Sequence, residues 1–223
     1  MTTSLAPGQK TPLMHTQSGR QRVMVGISWD APEEEVERPD AFHSEMAEGT
    51  ASYDEKVEGA VGIIQEVYDL DLICLIYDEN YELIDAVSPI PEETVDMSGA
   101  IYHTGDDMEG VSAGDDERVS VELGRLTQNI HALVFLTIIQ SGHYFGHILN
   151  PEVALRDAQS NEVLWHAALT DAPDQNAVAM CALTRGGETG WTLHNLSAYR
   201  VDDQIEDWAT EAASLISKSV AAT

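Results

Sequence analysis

The chain has 223 residues, with 39 acidic side chains against 11 Lys and Arg and a formal charge of −28 at pH 7. Its 43% hydrophobic content supports a packed core and excludes wholesale disorder. So negative a field disfavours nucleic acid and anionic membrane as partners and attracts cations or basic proteins.

Only three lysines occur, Lys10, Lys56 and Lys218. A solvated acidic surface suited to high salt would give this balance with no specific site, but it does not explain acids concentrated in particular loops. The two cysteines are too few for a disulfide scaffold. Cys74 and Cys181 both lie in apolar, strand-like runs, which points to buried thiols. No apolar run reaches membrane-spanning length, and the N-terminus lacks a basic stretch followed by an apolar one. A cytoplasmic protein with no direct membrane insertion is expected.

In chain order, the polar opening to about residue 19 reads as an arm, and "RVMVGISW" (22–29) as a strand. Residues 30–59 are rich in Glu without sustained periodicity, which predicts an acidic, mobile insertion. "DLICLIY" (71–77) and "YELIDAV" (81–87) flank a hairpin-type turn, "DEN". "RVSVEL" (118–123) alternates as a half-buried strand should, whereas "ALVFLTII" (132–139) is apolar throughout, as for a central strand covered on both faces. Two more strands, 152–157 and 162–169, are joined by "AQSN", and "AVAMCAL" (177–183) and "WTLHNLSAYR" (191–200) flank "TRGGETG". Turns about every ten residues point to a sandwich or barrel. The C-terminus changes period: Ile205, Trp208, Ala209, Ala212, Leu215 and Ile216 form one helical face over 202–220, with Asp202 or Asp203 as N-cap and Lys218 in the last turn.

The acids gather in two elements. "HTGDDMEGVSAGDDE" (103–117) packs carboxylates and glycines together with no Lys or Arg. Hard cations such as calcium take six to eight oxygen ligands in a flexible shell, and glycine lets a backbone curl around an ion. The spacing is not that of an EF-hand. "DLDL" places Asp69 and Asp71 two apart, on one side of a strand. Spacing alone leaves a solvated acidic loop and a cation site both open. Paired hydrolase carboxylates need one acid beside an apolar wall, and these acids are bunched instead.

Other motifs are weaker. His143 and His147 in "HYFGH" are four apart, yet Gly142 and Gly146 argue against a shared helical face, so core-edge or surface histidines are expected. "TRGGETG" lacks the lysine of a phosphate-binding loop and reads as a hairpin turn. No Ser-His-Asp or Cys-His arrangement stands out.

The order "VMVGISWDA", "DLDL", "HTGDD", "GDDE", "VSVEL", then "ALVFLTII" and "YFGHILNPEVALRDAQSNEVL", resembles the TerD family of tellurium-resistance and stress-response proteins. The resemblance covers residues 23–28 and 69–199. It implies an all-β, two-sheet sandwich that binds Ca2+ through Asp69, Asp71, Asp106, Asp107, Asp115, Asp116 and Glu117. The acidic insertion at 30–59 and the C-terminal amphipathic helix lie outside the ordinary family pattern, and the whole chain is read as a single domain. The family loop carries more acids and a glycine where this chain has Val111, Ser112 and Ala113, so one ion or two is left open. Asp107 stands where Asn is usual and adds a charge.

The resemblance further implies a non-enzymatic role in tellurite or envelope-stress responses. Its partners would be other stress-response proteins, and through them a membrane-associated complex. The alternatives are a metal-dependent hydrolase using the same carboxylates, and a calcium-dependent ligand-binding sandwich with Trp165 or Trp191 exposed beside the ion.

Overall fold

The computed structural model describes residues 4–13, 22–31, 68–105, 114–186, 190–201 and 205–222. Eleven strands are found among them: β1 (Lys10–Pro12), β2 (Arg22–Asp30), β3 (Leu70–Tyr77), β4 (Leu83–Val87), β5 (Ile101–His103), β6 (Glu117–Glu122), β7 (Ala132–Ile139), β8 (Leu149–Asp157), β9 (Val163–Ala168), β10 (Ala177–Arg185) and β11 (Trp191–Arg200). One helix follows, α1 (Ile205–Ala221). The strands form two antiparallel sheets, ordered β1-β11-β10-β7-β3-β4 and β5-β6-β2-β8-β9.

Inward residues of both sheets form the main core, among them Val25, Ile27, Leu72, Phe135, Leu155 and Trp165. The other face of the six-stranded sheet is also covered. Ile73, Leu75, Val134, Leu136 and Ala179 pack there with Trp208, Ala212 and Ile216 of α1. The two-sided cover is why β7 is buried at every position and reads as one apolar run. Each large side chain buried under the helix contributes about 1.5–3 kcal/mol. The Tyr77 hydroxyl donates to Ala209 O at 2.8 Å, and the Arg200 guanidinium lies 4.8 Å from the Trp208 ring centre. The sandwich with its C-terminal helix is thus present as the sequence predicts.

Three local differences have physical causes. The opening segment is not wholly an arm, because Lys10–Pro12 pairs with β11 and Leu13 is buried. Lys10 Nζ donates to the carbonyls of Ser219 (3.2 Å), Val220 (2.9 Å) and Ala222 (2.6 Å), capping the C-terminus of α1 across the sheet edge. β5 is only three residues long and carries too short a pattern to be recognised from the chain alone. Trp165 and Trp191 are 1% and 3% exposed, so neither is available as the exposed aromatic that a ligand-binding sandwich would need. The predicted insertion at 30–59 lies outside the described residues from position 32 onward, as do the N-cap candidates Asp202 and Asp203.

Candidate cation site

The segment 114–117 enters β6 beside β2. Gly105 and Gly114, at the two described ends of the acidic loop, have φ of 115° and 109°, a region that suits glycine alone. Asp116 N–H donates to Ile27 O at 2.8 Å, and Asp116 Oδ2 accepts the Trp29 N–H at 2.9 Å, so this residue extends the β2–β6 pairing.

Strand alternation then divides the acids between faces. Glu117, opposite Ile27 in the ladder, points between the sheets and is fully buried. Its Oε2 accepts the Leu72 N–H of β3 at 2.6 Å. β4 ends at Val87 opposite Cys74, so it stops short of Leu72, and the Glu117 carboxylate takes a backbone donor beyond that point. His103 of β5, also buried, places Nε2 3.3 Å from the same oxygen. The Gly105 N–H donates to His103 Nδ1 at 3.1 Å, so in the neutral ring the proton sits on Nε2, facing Glu117.

Asp115 lies on the opposite, outer face of the five-stranded sheet. Arg156 of β8 grips its carboxylate with both nitrogens, Nη2–Oδ1 at 3.1 Å and Nε–Oδ2 at 3.2 Å. Arg118 donates to its backbone carbonyl from Nε and Nη2, at 3.2 and 2.9 Å. The carboxylate sits directly over Gly26, where an added Cβ would overlap it. A close approach of this kind requires glycine.

Asp69 and Asp71 are half-buried at the start of β3. Asp69 N–H donates to Ser141 Oγ at 3.3 Å, and its Oδ1 is shielded from solvent. The structure therefore brings Glu117 onto the "DLDL" strand and turns Asp115 away toward Arg156. Asp106 and Asp107 lie outside the described residues. Among the described residues, no three His, Cys, Asp or Glu side chains converge in an arrangement able to hold a metal by themselves. The donors present are oxygen-rich carboxylates, the chemistry a hard divalent cation takes. A backbone bond to one carboxylate oxygen leaves lone pairs for coordination. By donor type Asp69, Asp71, Asp116 and Glu117 fit such an ion, whereas Asp115 is committed to a guanidinium.

His103 is the site residue the sequence reading passed over. Its one signal was its position heading "HTGDD". The two other histidines singled out from sequence, His143 and His147, do come together, with ring centres 5.7 Å apart, although no helix joins them. Local bonds hold them: His143 Nδ1 is 3.0 Å from Ser141 Oγ, and His147 Nδ1 accepts the Tyr144 N–H at 3.2 Å. The strands on either side of "TRGGETG", β10 and β11, pair antiparallel, and Gly186 N–H donates to Gly190 O at 3.0 Å.

Known proteins resemble this chain along most of its length. It is 27% identical over 212 residues to the stress response protein SCP2 of Bacillus subtilis (strain 168), covering 93% of this chain and 97% of that protein. It is 29% identical over 210 residues to the tellurium resistance protein TerZ of Serratia marcescens, covering 92% and 95%. A crystal structure of a homologue of telluride resistance protein (TerD) from Streptomyces coelicolor A3(2) superposes with a TM-score of 0.60 at 20% identity, over 87% of this chain and 98% of that one, and shares the fold. The family model described as the TerD domain matches residues 1–202, and the chain belongs to the TerD family.

Proposed function

We propose that this protein is a non-enzymatic, calcium-binding member of its family that acts in tellurite or stress responses. In this reading the ion neutralises the acidic loop, orders it, and so fixes a surface for other stress-response proteins and, through them, a membrane-associated complex. The protein works in the cytoplasm, with no nucleic acid as partner. The ligands are Asp69, Asp71, Asp106, Asp107, Asp116 and Glu117, for one ion or two, while Asp115 anchors the loop to Arg156.

The observation that carries this reading is Glu117, fully buried in one sheet and bonded to the backbone of the "DLDL" strand in the other. It joins two acidic elements that are 45 residues apart through one backbone bond, while Asp71, opposite Ile138 and alternating with the core residues Leu70 and Leu72, takes the helix-covered face of β3. Relatives named for tellurium resistance and stress response support the process.

A hydrolase would need carboxylates facing an open cleft. Of the carboxylates that such a hydrolase would share with the cation site, Asp115, Asp116 and Glu117 are buried. Calorimetric calcium titration of the wild type and Glu117→Gln tests the proposal. Saturation at a hundredfold excess over the dissociation constant should add about 2.7 kcal/mol of stability. A wild-type melting temperature that is the same in millimolar calcium and in chelator would sink it.

A further inference from the structure

The surface around edge strand β4 combines three properties that nothing in the cation site requires. Nine large hydrophobic residues are exposed among the described residues, and five of them, Leu83, Ile84, Ile90, Val95 and Met97, fall within fifteen consecutive positions. Met97 is 96% exposed. The stretch 78–101 that contains them carries seven acids and no Lys or Arg. A cleft of about 410 Å3 opens here, with Ile84, Met97 and Ile130 as apolar wall and Asp85 and Asp96 beside them.

The backbone is arranged to present this surface. Among the described residues, β4 is the terminal strand of its sheet and pairs only with β3. Its register shifts opposite Ile76 and Tyr77, leaving Ile84 as an extra residue with no partner across the ladder. A bulge of this kind re-aims a side chain. The turn bearing Met97 is held by carboxylates. Asp85 Oδ2 accepts the Met97 N–H at 3.1 Å, and Asp96 Oδ1 accepts the N–H groups of Ala100 and Ile101 at 2.9 and 2.7 Å. Holding an apolar side chain out in water on a fixed turn lowers the ordering cost of binding, and of the five exposed residues Ile84 and Met97 line one cleft together, the kind of exposed apolar surface that marks interaction sites.

We propose that this face docks a segment of a partner protein carrying an apolar anchor side chain flanked by Lys or Arg. The anchor enters the cleft against Ile84 and Met97, and the basic flanks meet the surrounding carboxylates. Charge selects this occupant over a second copy. Two chains of −28 meeting through the same acidic face repel, and the chain has few cations to offset it. The proposal is independent of calcium. Ile84 and Asp85 lie at the far end of β3 from Asp69 and Asp71, about 20 Å along the strand at its usual rise.

The test uses two fluorescein-labelled peptides of equal charge, four lysines flanking either Leu-Leu or Ser-Ser, with binding read by anisotropy in about 0.15 M salt. Any basic peptide is attracted to this protein, so the readout is the advantage of the leucine peptide over the serine one, expected to be about tenfold or more. The charge-neutral variant Ile84→Ser/Met97→Ser should abolish that advantage. Val201→Ser/Val220→Ser, which removes two exposed apolar side chains elsewhere, should keep it, and both should bind calcium like the wild type. Met97→Ser alone, at a nearly fully exposed position, covers the case in which the double variant unfolds. Equal binding of the two peptides, or an advantage that survives loss of Ile84 and Met97, overturns the proposal. Self-association of the wild type that these substitutions abolish would assign the face to a second copy and overturn it too.

Discussion

Glu117 Oε2 accepts the Leu72 N–H at 2.6 Å, joining the first residue of β6 in one sheet to β3 in the other. The bond lies within the sandwich, where a backbone donor left without a partner is costly. The same carboxylate therefore supports the fold and is proposed to hold the ion. The two roles separate by substitution. Glu117→Gln retains an acceptor for Leu72 and loses the charge. It should keep most of the stability and lower calcium affinity about tenfold or more. Glu117→Ala removes both and should cost about 1–3 kcal/mol, read from urea denaturation in chelator.

Gly26 and Asp115 are coupled by contact. Gly26→Ala should destabilise by about 1–3 kcal/mol, because the new methyl overlaps a carboxylate held in place by Arg156. In an Asp115→Gly background, which also removes the Cβ that would lie 2.7 Å from the new methyl, the same change should cost much less. A double-mutant cycle with less than about 0.5 kcal/mol of coupling would contradict this geometry.

Lys10 and His194 together fasten α1. His194 is 1% exposed, with Nε2 2.7 Å from Thr184 Oγ1 and Nδ1 2.8 Å from Ser219 Oγ. Burial first, and Lys10 second, lower its pKa from 6.5 to about 4. As pH falls below 6.5, the unfolded chain takes up a proton that folded His194 refuses until about pH 4. Stability from this group is complete above pH 6.5 and is lost through that window. Between pH 6.5 and 5, the melting temperature of His194→Gln should fall less than that of the wild type.

Removing the lysine tests the cap itself. Lys10→Met should cost about 1 kcal/mol and speed amide exchange in the last turn of α1 more than elsewhere. Uniform acceleration across the sheets would argue against a local cap.

Cys74 and Cys181 are both fully buried, and burial pushes both thiols up, with Cys181 adding to the effect on Cys74. Thiolate is the reactive form. Neither residue should react with a disulfide reagent in the native protein on the timescale of minutes, and both should react on unfolding. Rapid native labelling would contradict the burial of both thiols.

Much of this fold is readable along the chain because its signals are local. "ALVFLTII" announces a strand covered on both faces, and the run from Trp208 to Ile216 announces the helix that supplies one of those covers. "GDDE" and "DLDL" announce clustered carboxylate oxygens by residue type alone. What the sequence by itself could not determine is which face each acid takes. Asp115, Asp116 and Glu117 are neighbours in the chain, yet the entry into β6 sends Asp115 to Arg156 on the outer face and Glu117 to Leu72 on the inner one. The cap of α1 is likewise a lysine 209 to 212 residues from the carbonyls it holds, whereas Lys218 is the cation within the last turn itself. Sequence determined the strands, the helix and the chemistry of the donors, because periodicity and composition act over a few residues. Tertiary structure decided the partners of each charge, because sheet register brings together residues whose separation along the chain carries no information about their distance in space.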